Sequence, residues 1–230
     1  MITRTAGGDG VASLVIDDGK ANAFDLAFFA ELDAALDECA GDAAVVLAGR
    51  PGMFSAGLNV KVLATLDPAG MHELLVAFGL TMHRVWLEPR PVVAAVTGHA
   101  VAGGTILAMA CDHAVAADGD FRWGLTETTI GFAMPTWALA IARGNVRTDR
   151  LDDLILPGAT VGPADAVGCG YADALAPADR VLEVALERAR QLATLPRATY
   201  AETKRRLRGP ASAAALANVA EDITGMLAAR

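Results

Sequence analysis

The sequence predicts an α/β fold with parallel strand pairs, followed by a helical C-terminal part. Three observations carry this. Short strand-like apolar runs alternate with stretches of helical period through the first part of the chain. Two small-residue turns, GMFSAGLNV at 52–60 and GHAVAGGTILA at 98–108, each follow such a run. After about residue 135 the strand signal nearly vanishes and alanine-rich helical stretches replace it.

In chain order, residues 10–16 (GVASLVI) read as a first strand. Asp25 is placed to cap a helix whose apolar face is Phe29, Leu32, Leu36 and Cys39. Residues 44–48 (AVVLA) form the next strand and lead into the first glycine turn. Residues 60–88 have helical period, with Pro68 dividing them in two. The strand at 92–96 (VVAAV) leads into the second turn, which opens into a helix at 105–110; a strand at 113–117 (HAVAA) follows. Residues 164–167, 181–195, 199–207 and 211–229 read as helices separated by Pro or Gly. High alanine content there reflects helix propensity. This divides the chain into an α/β body at 1–163 and a helical region at 164–230.

Composition narrows the function. The 230 residues suffice for one domain with a full core. Apolar residues make up 53%, but no run approaches the roughly 18 consecutive apolar residues of a membrane span. No basic segment precedes an apolar stretch at the N-terminus, so no secretion signal is expected. A net charge of −8 argues against a nucleic-acid partner. Cys39, Cys111 and Cys169 are scattered and read as reduced core residues of a cytoplasmic protein. No ligand cluster suggests a metal. The glycine turns are more telling. Each leaves backbone N–H groups free, and glycine admits a ligand or another backbone closely. Two such groups converging at a helix N-terminus would hold a developing oxyanion, which points to chemistry on a carbonyl or thioester.

These segments carry a resemblance. GMFSAGLNV and AAVTGHAVAGGTILAMACD look like the two signature segments of the crotonase superfamily, the enoyl-CoA hydratases and isomerases. KANAF at 20–24, WGLTETTIGFAMP at 123–135 and GATVGPADAVGCGYADAL at 158–175 follow the same family order, so the likeness covers nearly the whole chain. It implies a spiral of ββα units with a helical C-terminal trimerisation region, as a homotrimer or homohexamer. It also implies an acyl-CoA thioester as substrate and no separate cofactor, CoA being part of the substrate. Carried over residue by residue, the oxyanion donors are the backbone N–H groups of Leu58 and Gly103. Gly104 and Ile106 belong to the same turn. Lys20, Ala21 and Ala23, with Ala56, Gly57, Asn59 and Val60, match segments that cradle CoA.

The resemblance also identifies a departure. Hydratases of the family use two glutamates. The second position is matched here by Glu127, but the first is Ile106, which cannot move a proton. Hydration needs an activated water and a proton delivered to C2, whereas moving a double bond needs one base that takes a C2 proton and returns it at C4. A carboxylate raised by an apolar pocket, here expected from Ile106, Leu125, Ile130 and Phe132, suits that shuttle. The resemblance is most detailed to Δ3,Δ2-enoyl-CoA isomerases, and it implies a role in fatty-acid breakdown. A hydratase, or a non-catalytic acyl-CoA-binding homologue, are the alternatives.

Other polar residues read as structural. Asp112 is expected as a hydrogen-bonding carboxylate, and His99 as a partly buried polar residue in its turn. His72 and His83 are expected on a solvated helix face. Ser55 lacks the Gly that a nucleophile elbow needs at Met53. Lys204, Arg205, Arg206 and Arg208 read as a solvated helix face, with an approach to CoA phosphates as the alternative.

Overall fold

The computed structural model describes residues 1–228 of the chain. Its centre is a six-stranded sheet in the order β1-β2-β3-β5-β7-β9. β1 (Ile2–Ala6) pairs antiparallel with β2 (Val11–Ile16). The Asp25-capped α1 (Leu26–Glu38) crosses to β3 (Ala44–Gly49), parallel to β2. β4 (Gly52–Ser55), α2 (Val60–Leu63) and α3 (Pro68–Trp86) precede β5 (Val92–Val96). β6 (Gly98–Val101) and α4 (Gly103–Ala110) precede β7 (His113–Ala117). β8 (Trp123–Gly124), a 3-10 turn at Glu127–Ile130, α5 (Thr136–Arg143), α6 (Leu151–Ile155) and α7 (Pro163–Cys169) lead to β9 (Ala174–Ala176). The C-terminal helices are α8 (Val181–Ala193), α9 (Arg197–Leu216) and α10 (Val219–Ala228).

The N-terminal halves of the two glycine turns are strands. β4, β6 and β8 form a second, three-stranded parallel sheet. The three windings that begin at β3, β5 and β7 thus each give one strand to each sheet and then a helix, the expected ββα spiral. Small residues obscured these strands in the sequence, and glycine is what permits them. Gly98 pairs with Gly52, and a β-carbon on Gly98 would lie 1.9 Å from the Gly52 carbonyl carbon.

The central parallel strands β2, β3, β5 and β7 are buried on both faces, as parallel sheets require, while the antiparallel edge strand β1 is exposed. Leu14, Leu47 and Ala94 face one core, while Val46, Val93 and Val115 face a second, closed by Val181, Ala185 and Ala189 of α8. That two-sided burial is why the strands read as unbroken apolar runs. β9 joins the sheet from beyond the last strand visible in the sequence, beside β7. Its three residues are too few for a periodic signal.

The C-terminal helices depart from expectation at one point. α9 runs through Pro210, and the break lies at residues 217–218. Proline removes one helical N–H bond. Side chains on both sides of it are anchored to the core: Lys204 and Arg208 to Asp112, and Ser212 to His83. Residue 229, the expected end of the last helix, and residue 230 lie outside the described residues.

Candidate active site

The two glycine turns meet where α4 begins. Gly57 has φ +78°, and a β-carbon there would lie 2.7 Å from the Gly103 nitrogen. A β-carbon on Gly103 would lie 2.7 Å from Phe78 Cζ and 3.2 Å from Gly57 Cα. Only hydrogen at both positions allows this approach. Ala102, before Gly103, holds φ 50° and ψ −122° without being glycine. Backbone strain of this kind clusters at functional sites.

The direction of the Leu58 amide follows from its neighbours. Phe24 N–H donates to Gly57 O at 2.8 Å, and Asn59 N–H donates to Phe24 O at 2.9 Å. In an extended segment successive N–H groups point to opposite sides. Leu58 N–H is therefore turned away from Phe24. Neither the Leu58 nor the Gly103 N–H has an acceptor among the described residues.

Both residues line a half-enclosed cavity of about 200 Å³. Its wall includes Ala56, Val60, Leu63, Leu75, Phe78, Ala102, Ile106, Ile130, Phe132 and Met226. Phe78 is held by stacking on Phe29 (5.3 Å between centroids) and an edge contact with Trp137 (4.8 Å). Glu127 is the one titratable side chain in the wall among the described residues. It opens the 3-10 turn that Gly131, at φ 75°, ends. Its Oε2 is buried with no hydrogen-bond partner among the described residues. Burial pushes the carboxyl up from 4.5 to about 7, opposed by its own backbone N–H. A group poised there exchanges protons readily near neutral pH.

The other expected residues divide. Ala56, Val60 and Ile106 lie in the wall. Lys20, Ala21, Ala23, Gly57 and Asn59 are not in the wall. Ala21 O accepts from Ala56 N–H, Lys20 O accepts from the Arg50 guanidinium, and Asn59 caps α2. Ala23 N–H faces the Asp18 carboxylate at 3.4 Å. Gly104 is outside the wall; a β-carbon on it would lie 2.2 Å from Ser55 O, so it packs α4 against β4. Leu125 is fully buried behind the wall rather than in it.

Asn22, Thr126 and Met226 were not singled out by sequence. Thr126 and Met226 are in the wall. Asn22 is buried at φ 50°, and its Nδ2 donates to Ile16 O and Phe54 O, tying the 20–24 loop to the end of β4. Asn22 falls inside the KANAF segment of the resemblance, but the sequence alone does not mark its structural role; asparagine is among the residues that adopt such a positive φ readily.

The remaining polar residues and cysteines divide between correction and support. His83 is buried, not solvated. Its Nδ1 lies 2.7 Å from Ser212 Oγ and its Nε2 3.0 Å from Trp137 O, while burial pulls its pKa down. Lys204 and Arg208 turn inward onto Asp112, and only Arg205 and Arg206 are solvated, paired with Glu202. Asp112 is structural as expected. His99 accepts from Arg122 N–H and packs against Phe121, and the three cysteines are free and buried.

A sequence-family profile described as enoyl-CoA hydratase/isomerase matches residues 6–228. The chain belongs to the enoyl-CoA hydratase/isomerase family, within the crotonase superfamily. Among its relatives are human mitochondrial enoyl-CoA delta isomerase 1, 26% identical over 85% of this chain and 67% of that protein, and a Thermus thermophilus protein with a provisional enoyl-CoA hydratase name. The latter is 38% identical over 69% of this chain and 64% of its own length. The match therefore spans about two thirds of these curated relatives. The crystal structure of human mitochondrial delta3-delta2-enoyl-CoA isomerase superposes with a TM-score of 0.94 at 25% identity, covering 99% of this chain and 90% of that one. A Mycobacterium ulcerans enoyl-CoA hydratase superposes with a TM-score of 0.92 at 28% identity, over 98% and 99% of the two chains. Both activities thus occur on this fold, and the site's own chemistry must decide between them.

Proposed function

We propose that this family member is an enoyl-CoA isomerase, moving a double bond from C3=C4 to C2=C3 of an acyl-CoA in fatty-acid breakdown. One observation carries the reading: among the described residues the cavity wall offers a single titratable side chain, Glu127, with Ile106 where a hydratase of the family would place a second carboxylate. The Leu58 and Gly103 N–H groups bind the thioester oxygen. The start of α4 adds positive potential there. Glu127 removes a proton from C2, the electrons move onto the thioester oxygen, and the two amides hold the enolate. Each such donor contributes on the order of 3 kcal/mol to the transition state. Glu127 then returns the proton at C4. CoA lies along 20–23 and 56–60, and no separate cofactor takes part.

Wild-type protein should isomerise 3-enoyl-CoA at least about a hundredfold faster than it hydrates 2-enoyl-CoA, the scale of one missing acid-base group. Ile106→Glu should narrow that gap, provided the added carboxylate folds in beside Glu127. Coupled assays of both reactions on both proteins decide this; faster hydration than isomerisation by wild type would reject the reading in favour of a hydratase. Tight acyl-CoA binding with neither reaction would instead identify a non-catalytic binding homologue.

A homotrimer or homohexamer accompanies this proposal. Leu182, Leu195 and Leu207 of the C-terminal region are 39%, 46% and 77% exposed, and covering them in a partner would release apolar surface from water. Light scattering should give three or six times the 23.7 kDa chain mass. A stable monomer at micromolar concentration would refute the assembly.

A further inference from the structure

We propose that Met226 closes the hydrocarbon part of the cavity and limits this protein to short- and medium-chain acyl groups. The inference rests on the acyl-CoA reading of the cavity and assigns its chain-length limit to one residue of the last helix.

The wall separates by chemistry. Its reactive groups come from the Leu58 segment, the start of α4 and the 3-10 turn. The rest is hydrocarbon: Phe78 and Phe132 lie in it, together with Val60 and Leu63 of α2, Leu75 of α3 and Met226 of α10. An alkyl tail is met by that second part. Val60 is 64% exposed and marks an open side, whereas Leu75 is 4% exposed and belongs to the fixed core. Met226 is half-buried and comes from a helix otherwise outside the site.

α10 is held in place by specific contacts. Asp222 Oδ2 accepts from Thr136 N–H at 2.8 Å and its Oδ1 from the Thr136 hydroxyl at 3.0 Å, at the start of α5. His72 Nε2 on α3 lies 3.0 Å from Ala220 O. Ile223 is fully buried, and Met226, three residues on, shares its helix face. The anchor at Ile223 thereby presents Met226 to the cavity.

Size then sets the limit. An apolar cavity of about 150 Å³ holds benzene, six carbons. The cavity here, about 200 Å³, therefore takes on the order of eight acyl atoms. A hexenoyl or octenoyl group fits within this space, and the end of a dodecenoyl group either displaces Met226 or leaves by the open side at Val60, where it stays in water. Methionine is flexible enough to set a soft limit rather than an absolute one.

The test compares wild type, Met226→Ala and Met226→Trp on 3-hexenoyl-CoA and 3-dodecenoyl-CoA. It also measures binding of hexanoyl-CoA and dodecanoyl-CoA by calorimetry. In wild type the C6 to C12 ratio of kcat/KM should be about tenfold or more. Met226→Ala should lower it about tenfold, and Met226→Trp should raise it. The saturated ligands should show the same ordering in Kd. A flat wild-type profile, or a ratio that Met226→Ala leaves unmoved, overturns the inference. The binding arm needs no turnover, so it reports chain-length selection even if the isomerase assignment fails.

Discussion

Glu127→Gln should lower kcat for double-bond migration by roughly 10²–10⁴-fold and leave the affinity for a saturated acyl-CoA within a few fold. The amide nearly matches the carboxylate in size but cannot take up and return a proton. Wild-type kcat/KM should rise with pH through about 7, where burial has placed the Glu127 carboxyl. The same burial predicts a stability signature. A folded-state pKa raised from 4.5 to about 7 means that the native state holds its proton more tightly than the unfolded chain. That stabilisation is complete below about pH 4.5 and is lost as pH rises to about 7, a change of up to about 3 kcal/mol. The glutamine variant lacks the buried charge. It should therefore be more stable than wild type at pH 8 and gain nothing from this source at pH 4. Kinetics and urea denaturation at both pH values test the two halves separately. Undiminished isomerisation by the variant would remove Glu127 as the base.

The site was legible in sequence to the extent that it is made of backbone. Gly57, Gly103 and the segments around them are dictated by close approach, which only glycine permits, so their residue types announce the geometry. Glu127 and Ile106 became interpretable through the family pattern, because a single carboxylate or isoleucine carries no local signal. Met226 was invisible for a different reason. It reaches the cavity from about a hundred residues beyond the base, by way of the packing of α10 on α3 and α5.

In the fold, the long two-sided strands were readable because complete burial leaves unbroken apolar runs at β3, β5 and β7. β4, β6 and β8 hold only two to four residues each, several of them small. Their identity as a second sheet depends on pairing across the spiral rather than on local pattern. The charged stretch on α9 shows the opposite limit. Lys204 and Arg208 sit in a basic run that resembles a solvated face, but four residues apart they share one side of the helix. That side meets Asp112.

Asp112→Ala should destabilise the protein by about 3–5 kcal/mol, the cost of leaving buried charges without their partner. Asp112 Oδ2 accepts from Lys204 Nζ at 2.6 Å and from Val92 N–H at 2.7 Å, while Oδ1 accepts from Arg208 Nη1 at 2.9 Å. The side chains of Asp112 and Lys204 are 4% and 5% exposed, and that of Arg208 is 17%. Burial pulls the Lys204 ammonium down and Asp112 opposes it, so removing the carboxylate leaves the burial penalty uncompensated. Lys204 would retain its bonds to Glu88 O and Arg90 O, which hold the ammonium but do not neutralise it. Adding Lys204→Met to Asp112→Ala should therefore recover part of the loss, because the second change removes one stranded cation. Denaturation of wild type, both single variants and the double variant gives the coupling energy. A loss below about 1 kcal/mol for Asp112→Ala, the range of an exposed pair, would show that the Asp112 ion pairs contribute little to holding α9 on the core.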